Sequence, residues 1–321
     1  MTFIPAELSH PLLFNGIVLI ASLFILFKSA DLLVYGISNY AKRLGLSDAI
    51  IGLVVVAMAA SAPEIISSLT GFLSGQENIG LGAILGTNMV HAALALGLLC
   101  IFGRKIELEP NIFTKRRFIM WIALMLPFVL ALDGQLSRSD GIILVGAFIA
   151  YLFALWKLEG TLGKIKKKVE VKKIWKDVLI FLGCFAALML AGRWLVFSSV
   201  QIAHYFDLPA YFIALTVIGV GTTLPDLAVE LRSLFRAHAS IGLGDLLGSL
   251  ILELLLFLGL VALIKPINIP LQQVLSTMLF LLVSISIIMY WMNKKQLTWK
   301  HGLVLCGIYL LFLATEIYKM L

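Results

Sequence analysis

Two short runs in this 321-residue chain place an acidic side chain inside otherwise apolar sequence. AMAASAPEIISS sets Glu64 directly after Pro63, and GVGTTLPDLAVE sets Asp226 directly after Pro225. A proline within a helix donates no backbone hydrogen bond and crowds the carbonyl four residues earlier. Pro63 and Pro225 are therefore expected to break their helices, freeing carbonyls near Ala59 and Ala60 and near Gly221 and Thr222. Ser61 and Ser68 fall on the Glu64 face at i−3 and i+4. Carboxylates beside bare carbonyls and hydroxyls suit hard cations such as Ca²⁺ and Na⁺, which prefer oxygen ligands. The plainer alternative is a kink serving shape alone with its acid neutral or salt-bridged, but a kink by itself requires no acid at both places.

Two further runs, GAILGTNMVH and GDLLGSLILE, carry glycines four apart (Gly82 and Gly86, Gly244 and Gly248) that allow close backbone approach. Each then supplies a hydroxyl and a polar group at i, i+4: Thr87 with His91, and Ser249 with Glu253. Glu64, His91, Asp226 and Glu253 thus form the candidate central cation site, with Glu64, Asp226 and Glu253 as its metal-binding acids. No nucleophile with a base, phosphate-cradling loop or zinc-type cluster accompanies them, so the residues argue against an enzyme and imply no catalytic residue and no cofactor. Cys100, Cys184 and Cys306 lie in apolar segments without metal-ligand spacing and read as packing residues.

The elements that must position these groups are membrane helices. The chain is 61% hydrophobic and 13% charged, with mean hydropathy +1.03, and its apolar runs reach the roughly 20 residues of a helical span. Spans are expected at about 14–38, 49–73, 79–102, 118–132, 140–157, 177–200, 209–231, 239–264, 272–292 and 302–320. The fold class is accordingly an all-α integral membrane protein of ten transmembrane helices, multi-pass in the inner (cytoplasmic) membrane. The first apolar run is a full span without a basic leader, so no cleaved signal peptide is expected. The polar stretch 157–176 is too short for a folded domain. The net charge of +7 does not imply nucleic acid, because basic residues gather in alternate loops. Lys42, Arg43, Arg104, Lys105, 115–117, the 157–176 cluster, Arg232, Arg236, Lys294, Lys295 and Lys300 fall on one side, against Arg138, Lys265 and Lys319 on the other. That bias puts both termini outside.

Residues 29–69 resemble residues 191–231 at a constant offset: Glu64 falls on Asp226, Gly82 on Gly244, Gly86 on Gly248 and Gly97 on Gly259, each 162 positions apart. Five helices separate the copies, so the second enters the membrane upside down. The expected organisation is two inverted five-helix repeats, 1–160 ending in a basic cytoplasmic linker and 161–321. Such repeats imply alternating access, although a duplication kept for packing would leave the same trace.

At these motifs the chain resembles the calcium/cation antiporter superfamily, most nearly the prokaryotic sodium/calcium exchangers. That family repeats G-T-S-x-P-E followed by G-N-x-x-G-S-x-x-x-N/D. GTTLPD with GDLLGSLILE is the closer copy here, and AASAPE with GAILGTNMVH the looser one. The resemblance places the four central side chains at Glu64, His91, Asp226 and Glu253. It places flanking sodium positions at Ala60, Ser61 and Thr87 in one half and at Thr222, Thr223 and Ser249 in the other. Ala60 replaces a threonine but keeps its carbonyl, and Asp226 and Glu253 each differ from the family residue by about a methylene. His91 replaces an amide with an imidazole that titrates near neutral pH; it either takes the place of a coupling cation or simply hydrogen-bonds Glu64 or Thr87. Glu230 and Asp245, on the cytoplasmic side, form either an acidic entrance or local salt bridges with Arg193 or Arg236.

The expected activity is Ca²⁺ export in exchange for Na⁺, with helices one and six sliding across a core of two, three, seven and eight. The alternatives are another divalent cation such as Mn²⁺, coupling to H⁺, an ion channel, or a non-transporting paralogue. The expected partners are the lipid bilayer and the cations, with no nucleic acid and no obligate protein partner.

Overall fold

The computed structural model describes residues 11–43, 61–107, 117–159, 174–235, 239–294 and 296–320. Helices dominate them. In chain order these are α1 (Pro11–Arg43), α2 (Ala62–Leu73), α3 (Glu77–Met89), α4 (Leu96–Gly103), α5 (Arg117–Leu130), α6 (Arg138–Glu159) and α7 (Ile174–Tyr205). There follow α8 (Ala210–Ile213), α9 (Gly219–Phe235), α10 (Ala239–Ile251), α11 (Leu258–Ile264), α12 (Leu271–Trp291) and α13 (Trp299–Tyr318). Three π-helical stretches join pairs of these into longer rods: Val90–Ala95 between α3 and α4, Ala214–Ile218 between α8 and α9, and Leu252–Phe257 between α10 and α11. Among the described residues five runs are long and apolar enough to cross a membrane: Glu77–Gly103, Leu182–Tyr205, Leu246–Ile264, Leu271–Trp291 and Trp299–Tyr318.

Side chains are distributed as lipid solvent demands. Along α1, Leu13, Ile17, Ile20 and Phe24 face outward while Asn15, Ser22 and Ser29 are buried. The same inversion recurs on α13, where Leu303, Leu310 and Leu311 are exposed and Glu316 is buried. In water this arrangement would waste apolar burial and strand polar groups; in a bilayer it leaves apolar atoms against lipid and polar atoms against protein.

Element boundaries repeat along the chain. Val90–Ala95 and Leu252–Phe257 start 162 residues apart, and so do α3 and α10. Two short ribbons add to this. β1 (Lys105–Glu107) pairs antiparallel with β4 (Gln296–Thr298), and β2 (Gln135–Leu136) pairs antiparallel with β3 (Ile267–Asn268). Shifting the pair Lys105↔Thr298 by 162 in each member gives Ile267↔Leu136, which is the register observed. Packing follows the same exchange. A Cβ on Gly97 would meet Cys306 Sγ at 2.6 Å and Gly302 O at 3.2 Å, and one on Gly259 would meet Leu144 Cβ at 3.0 Å and Gly141 O at 3.2 Å. Glycine at these crossings lets α4 seat on α13, and α11 on α6, backbone to backbone.

The core that holds the site is built around α3. A Cβ on Gly82 would lie 2.5 Å from the Tyr211 carbonyl oxygen, and one on Gly86 would overlap the Leu215 carbonyl. The segment 210–218 therefore rests directly on the α3 backbone. α1 and α7 pack chiefly on each other, through Leu19, Leu26, Ala191, Leu195 and Val196, and touch the core at Ile66, Ile79, Ala83 and Ile218.

Candidate cation site

Glu64, His91 and Glu253 stand where a helix begins or is interrupted, and Asp226 lies within α9. α2 starts at Ala62 with Ser61 in the N-cap position, Pro63 in its first turn and Glu64 as the acid of that turn. Proline is tolerated there because the first amides have no intrahelical partner, and the helix dipole favours a carboxylate at that end. His91 and Glu253 each occupy the second position of a π stretch, Val90–Ala95 and Leu252–Phe257. A π turn adds a residue to the helical circuit and re-aims the side chains after it, which is why such turns collect at functional sites.

The side chains meet across the two halves. His91 Nε2 lies 3.7 Å from Asp226 Oδ2, and His91 Nδ1 lies 3.8 Å from Glu253 Oε1. The hydroxyl of Thr87 and the amide of Asn88 both donate to Glu253 Oε2 at 2.8 Å. Asn88 Nδ2 also donates to the Ile84 carbonyl at 2.7 Å, anchoring the amide to its own helix. Ser61 Oγ donates to Ser249 Oγ at 3.4 Å, joining the α2 start to α10. Glu64, His91, Glu230 and Glu253 are each 1% exposed, and Asp226 is 7% exposed. Burying charge at this density is costly unless opposite charge or hydrogen bonds compensate it. Both ring nitrogens of His91 face a carboxylate, an arrangement in which an imidazolium is attracted on both sides while a neutral ring could donate on one only.

The candidates thus fall into groups. Asp226, His91 and Glu253 come together, with Thr87 on the same carboxylate and Ser61 beside Ser249. Glu64 is buried in the first turn of α2, its main-chain carbonyl accepting from Ser67 Oγ at 2.9 Å. Among the described residues no three His, Cys, Asp or Glu side chains are gathered tightly enough to hold a metal ion. Thr222 and Thr223 are buried and turn their hydroxyls onto their own helix, toward Ile218 O (2.9 Å) and Gly219 O (2.8 Å). Glu230 is buried one turn beyond Asp226, and Arg193 is exposed. Ala59, Ala60, Arg236 and the side chains of Pro225 and Asp245 lie outside the described residues.

One expectation is corrected. Pro225 does not break its helix: α9 runs through it from Gly219 to Phe235, and the irregular backbone lies upstream, at Ala214–Ile218. A proline removes a single intrahelical bond, a loss that a helix packed on both sides can carry without breaking. Asn88 is the partner of Glu253 that the sequence motifs missed. Its signal was a polar amide inside a buried apolar helix, one turn before His91. Its repeat counterpart, Leu250, is apolar, so comparing the halves hid it.

A family model described as sodium/calcium exchanger protein matches residues 14–157 and 176–318. The chain belongs to this family. It is 31% identical over 308 residues to "Inner membrane protein YrbG" of Escherichia coli (strain K12), across 92% of this chain and 94% of that protein. It is 26% identical over 346 residues to "Sodium/calcium exchanger MaX1" of Methanosarcina acetivorans, across 95% of this chain and 99% of that one. The fold is that of the H⁺/Ca²⁺ exchanger CAX, with TM-score 0.76 and 13% identity over 97% of this chain and 87% of that one. It is likewise that of the sodium-calcium exchanger NCX_Mj, with TM-score 0.66 and 22% identity over 94% and 98%. As a sodium/calcium exchanger family member, the chain is a transmembrane transporter of the cation exchanger type and not an enzyme.

Proposed function

We propose that this sodium/calcium exchanger family member is a secondary active antiporter of the inner membrane. It exports Ca²⁺ in exchange for Na⁺ by alternating access through the site around Glu64, Asp226 and Glu253. The observation that carries this reading is the burial of acids from both halves, at positions matching the family motifs, around hydroxyls that cross from one half to the other. Carboxylates and hydroxyls are the ligands a hard cation selects, and their charge requires a counter-ion in hydrocarbon. In this reading the chain crosses the membrane ten times as two inverted five-helix repeats, 1–160 and 161–321, with both termini outside. The constant 162-residue offset of the π stretches and the exchanged ribbons support it. α1 with α7, which pack on each other more than on the core, slide to open one face or the other.

His91 supports a second reading of the coupling ion. It stands between Asp226 and Glu253, where a cation bridging those acids would stand. A protonated ring there takes the role of a coupling cation, making exchange proton-linked. Uptake of ⁴⁵Ca²⁺ into inverted vesicles under an imposed Na⁺ or H⁺ gradient separates the two. Glu64→Gln is expected to abolish uptake under either gradient. If Na⁺ alone drives flux and His91→Asn leaves it unchanged, the proton reading is lost. If neither gradient drives any flux in the intact protein, antiport itself is lost.

A further inference from the structure

A second buried polar network lies away from the acids of the site. Tyr211, 2% exposed on α8, donates its hydroxyl to Thr277 Oγ1 of α12 at 3.0 Å. Thr277 donates in turn to Glu316 Oε1 of α13 at 3.1 Å. Ser276 Oγ donates to the same oxygen at 2.5 Å and Lys319 Nζ at 3.1 Å. Lys319 also reaches Ser276 Oγ, and the Gln273 carbonyl at 3.2 Å. Two hydroxyls and a paired lysine satisfy this carboxylate, so it has no need of a cation. What the network holds is Tyr211, and with it the first turn of the broken rod that leads into Thr222, Thr223 and Asp226.

We propose that Tyr211, Thr277 and Glu316 are positioning residues that fix segment 210–218 on α12 and α13 and thereby set the placing of the second-half cation ligands. The proposal rests on the antiport reading above. Segment 210–218 is clamped between two surfaces of different kind. On one side its carbonyls at Tyr211 and Leu215, with the Ala214 methyl, press on Gly82 and Gly86 of α3. On the other side the Tyr211 hydroxyl is its hydrogen-bonded tie to α12. A π stretch has poorer internal hydrogen-bond geometry than an α-helix, so its position depends on such external ties. Any shift at Ala214–Ile218 passes rigidly along α9 to Thr222, Thr223 and Asp226. The device belongs to one half only. The repeat counterparts of Tyr211, Thr277 and Glu316 are Ala49, Lys115 and Ala154, which cannot rebuild it. The two halves of the site are therefore held unequally, with the Asp226 side the fixed one.

The test isolates one hydroxyl in the full-length protein reconstituted in proteoliposomes. Thr277→Val keeps the shape and removes the link, whereas Thr277→Ser keeps the link. Losing one buried hydrogen bond on this path is expected to raise KM for Ca²⁺ about five-fold with kcat within about two-fold of the parent. Thr277→Ser is expected to restore the parent KM. Amide hydrogen exchange in 210–218 is expected to quicken about ten-fold in Thr277→Val and not in Thr277→Ser, with α6 unchanged in both. Equal behaviour of the two variants, or unaltered exchange in 210–218, overturns the proposal. So does quickened exchange with an unmoved KM. If the intact protein carries no Ca²⁺, the antiport reading fails, and hydrogen exchange alone still decides whether the network fixes this segment.

Discussion

Glu253 divides its two oxygens between different tasks. Oε2 accepts from Thr87 and Asn88 at 2.8 Å, while Oε1 is turned toward His91 at 3.8 Å. The first pair of contacts fixes the carboxylate on α3; the second leaves an oxygen directed at the gap shared with Asp226. Asn88→Leu, which installs the residue of the repeat counterpart, removes one hydrogen bond to a buried charged group. Such a bond is worth about 1.5–3 kcal/mol, so apparent Ca²⁺ affinity in vesicle flux is expected to fall about ten-fold or more. Asn88→Asp sets a second carboxylate against Glu253 and is expected to abolish flux at neutral pH. Flux unaffected by Asn88→Leu would remove Asn88 from the site. The acids and hydroxyls of the site were legible in the sequence because ionisable groups inside apolar spans are costly enough to stand out. Their partners were not. The motifs place His91 at one centre with Asp226 and Glu253, but do not show that Thr87 and Asn88 both donate to Glu253 in the π stretch Leu252–Phe257. Period and spacing describe a single helix, whereas these contacts are set by the crossing of several.

At the scale of elements, the sequence marked the apolar rods and the glycines that let them approach, but not their irregularities. The three π stretches contain no proline or glycine, so no residue type announces them. Pro225, which does carry a local signal, sits inside a continuous helix. The irregular backbone of 214–218 falls where this segment packs against α3, not at the proline that could favour it. Gly86 gives that packing a direct test. In an unconstrained helix Gly→Ala stabilises by roughly 0.5–1 kcal/mol, because alanine loses less entropy on folding. A Cβ at Gly86 would instead overlap the Leu215 carbonyl, and overpacking of this kind costs about 1–3 kcal/mol. Gly86→Ala is therefore expected to lower the thermal unfolding midpoint in detergent, while Gly146→Ala, whose new methyl meets nothing within 4 Å, leaves it unchanged or raises it. A midpoint unmoved by Gly86→Ala would mean that 210–218 does not rest on α3 as described.

For the whole molecule, the two ribbons carry the most information per residue. β1 pairs with β4 and β2 with β3, so each ribbon joins one strand from the first half to one from the second, and shifting one ribbon by the repeat offset generates the other. Strands of two or three residues leave no periodic trace, which is why sequence reasoning reads the 162-residue offset but not these clasps. Their placement bears on topology. β2 and β3 lie beside Arg138 and Lys265, and β1 and β4 lie beside Lys105, Lys294 and Lys300. In the inverted arrangement the first ribbon caps the outer end of the bundle and the second caps the cytoplasmic end, as the basic residues require. Single cysteines at two exposed positions, Ser139→Cys beside the first ribbon and Lys294→Cys beside the second, test this once Cys100, Cys184 and Cys306 are replaced by alanine. A membrane-impermeant maleimide added to right-side-out vesicles is expected to label Ser139→Cys and spare Lys294→Cys, with the order reversed in inverted vesicles. Labelling of both from one face would place the ribbons on the same side of the membrane. The halves could then not be inverted copies, and a single cation site served alternately from two faces would lose its structural basis.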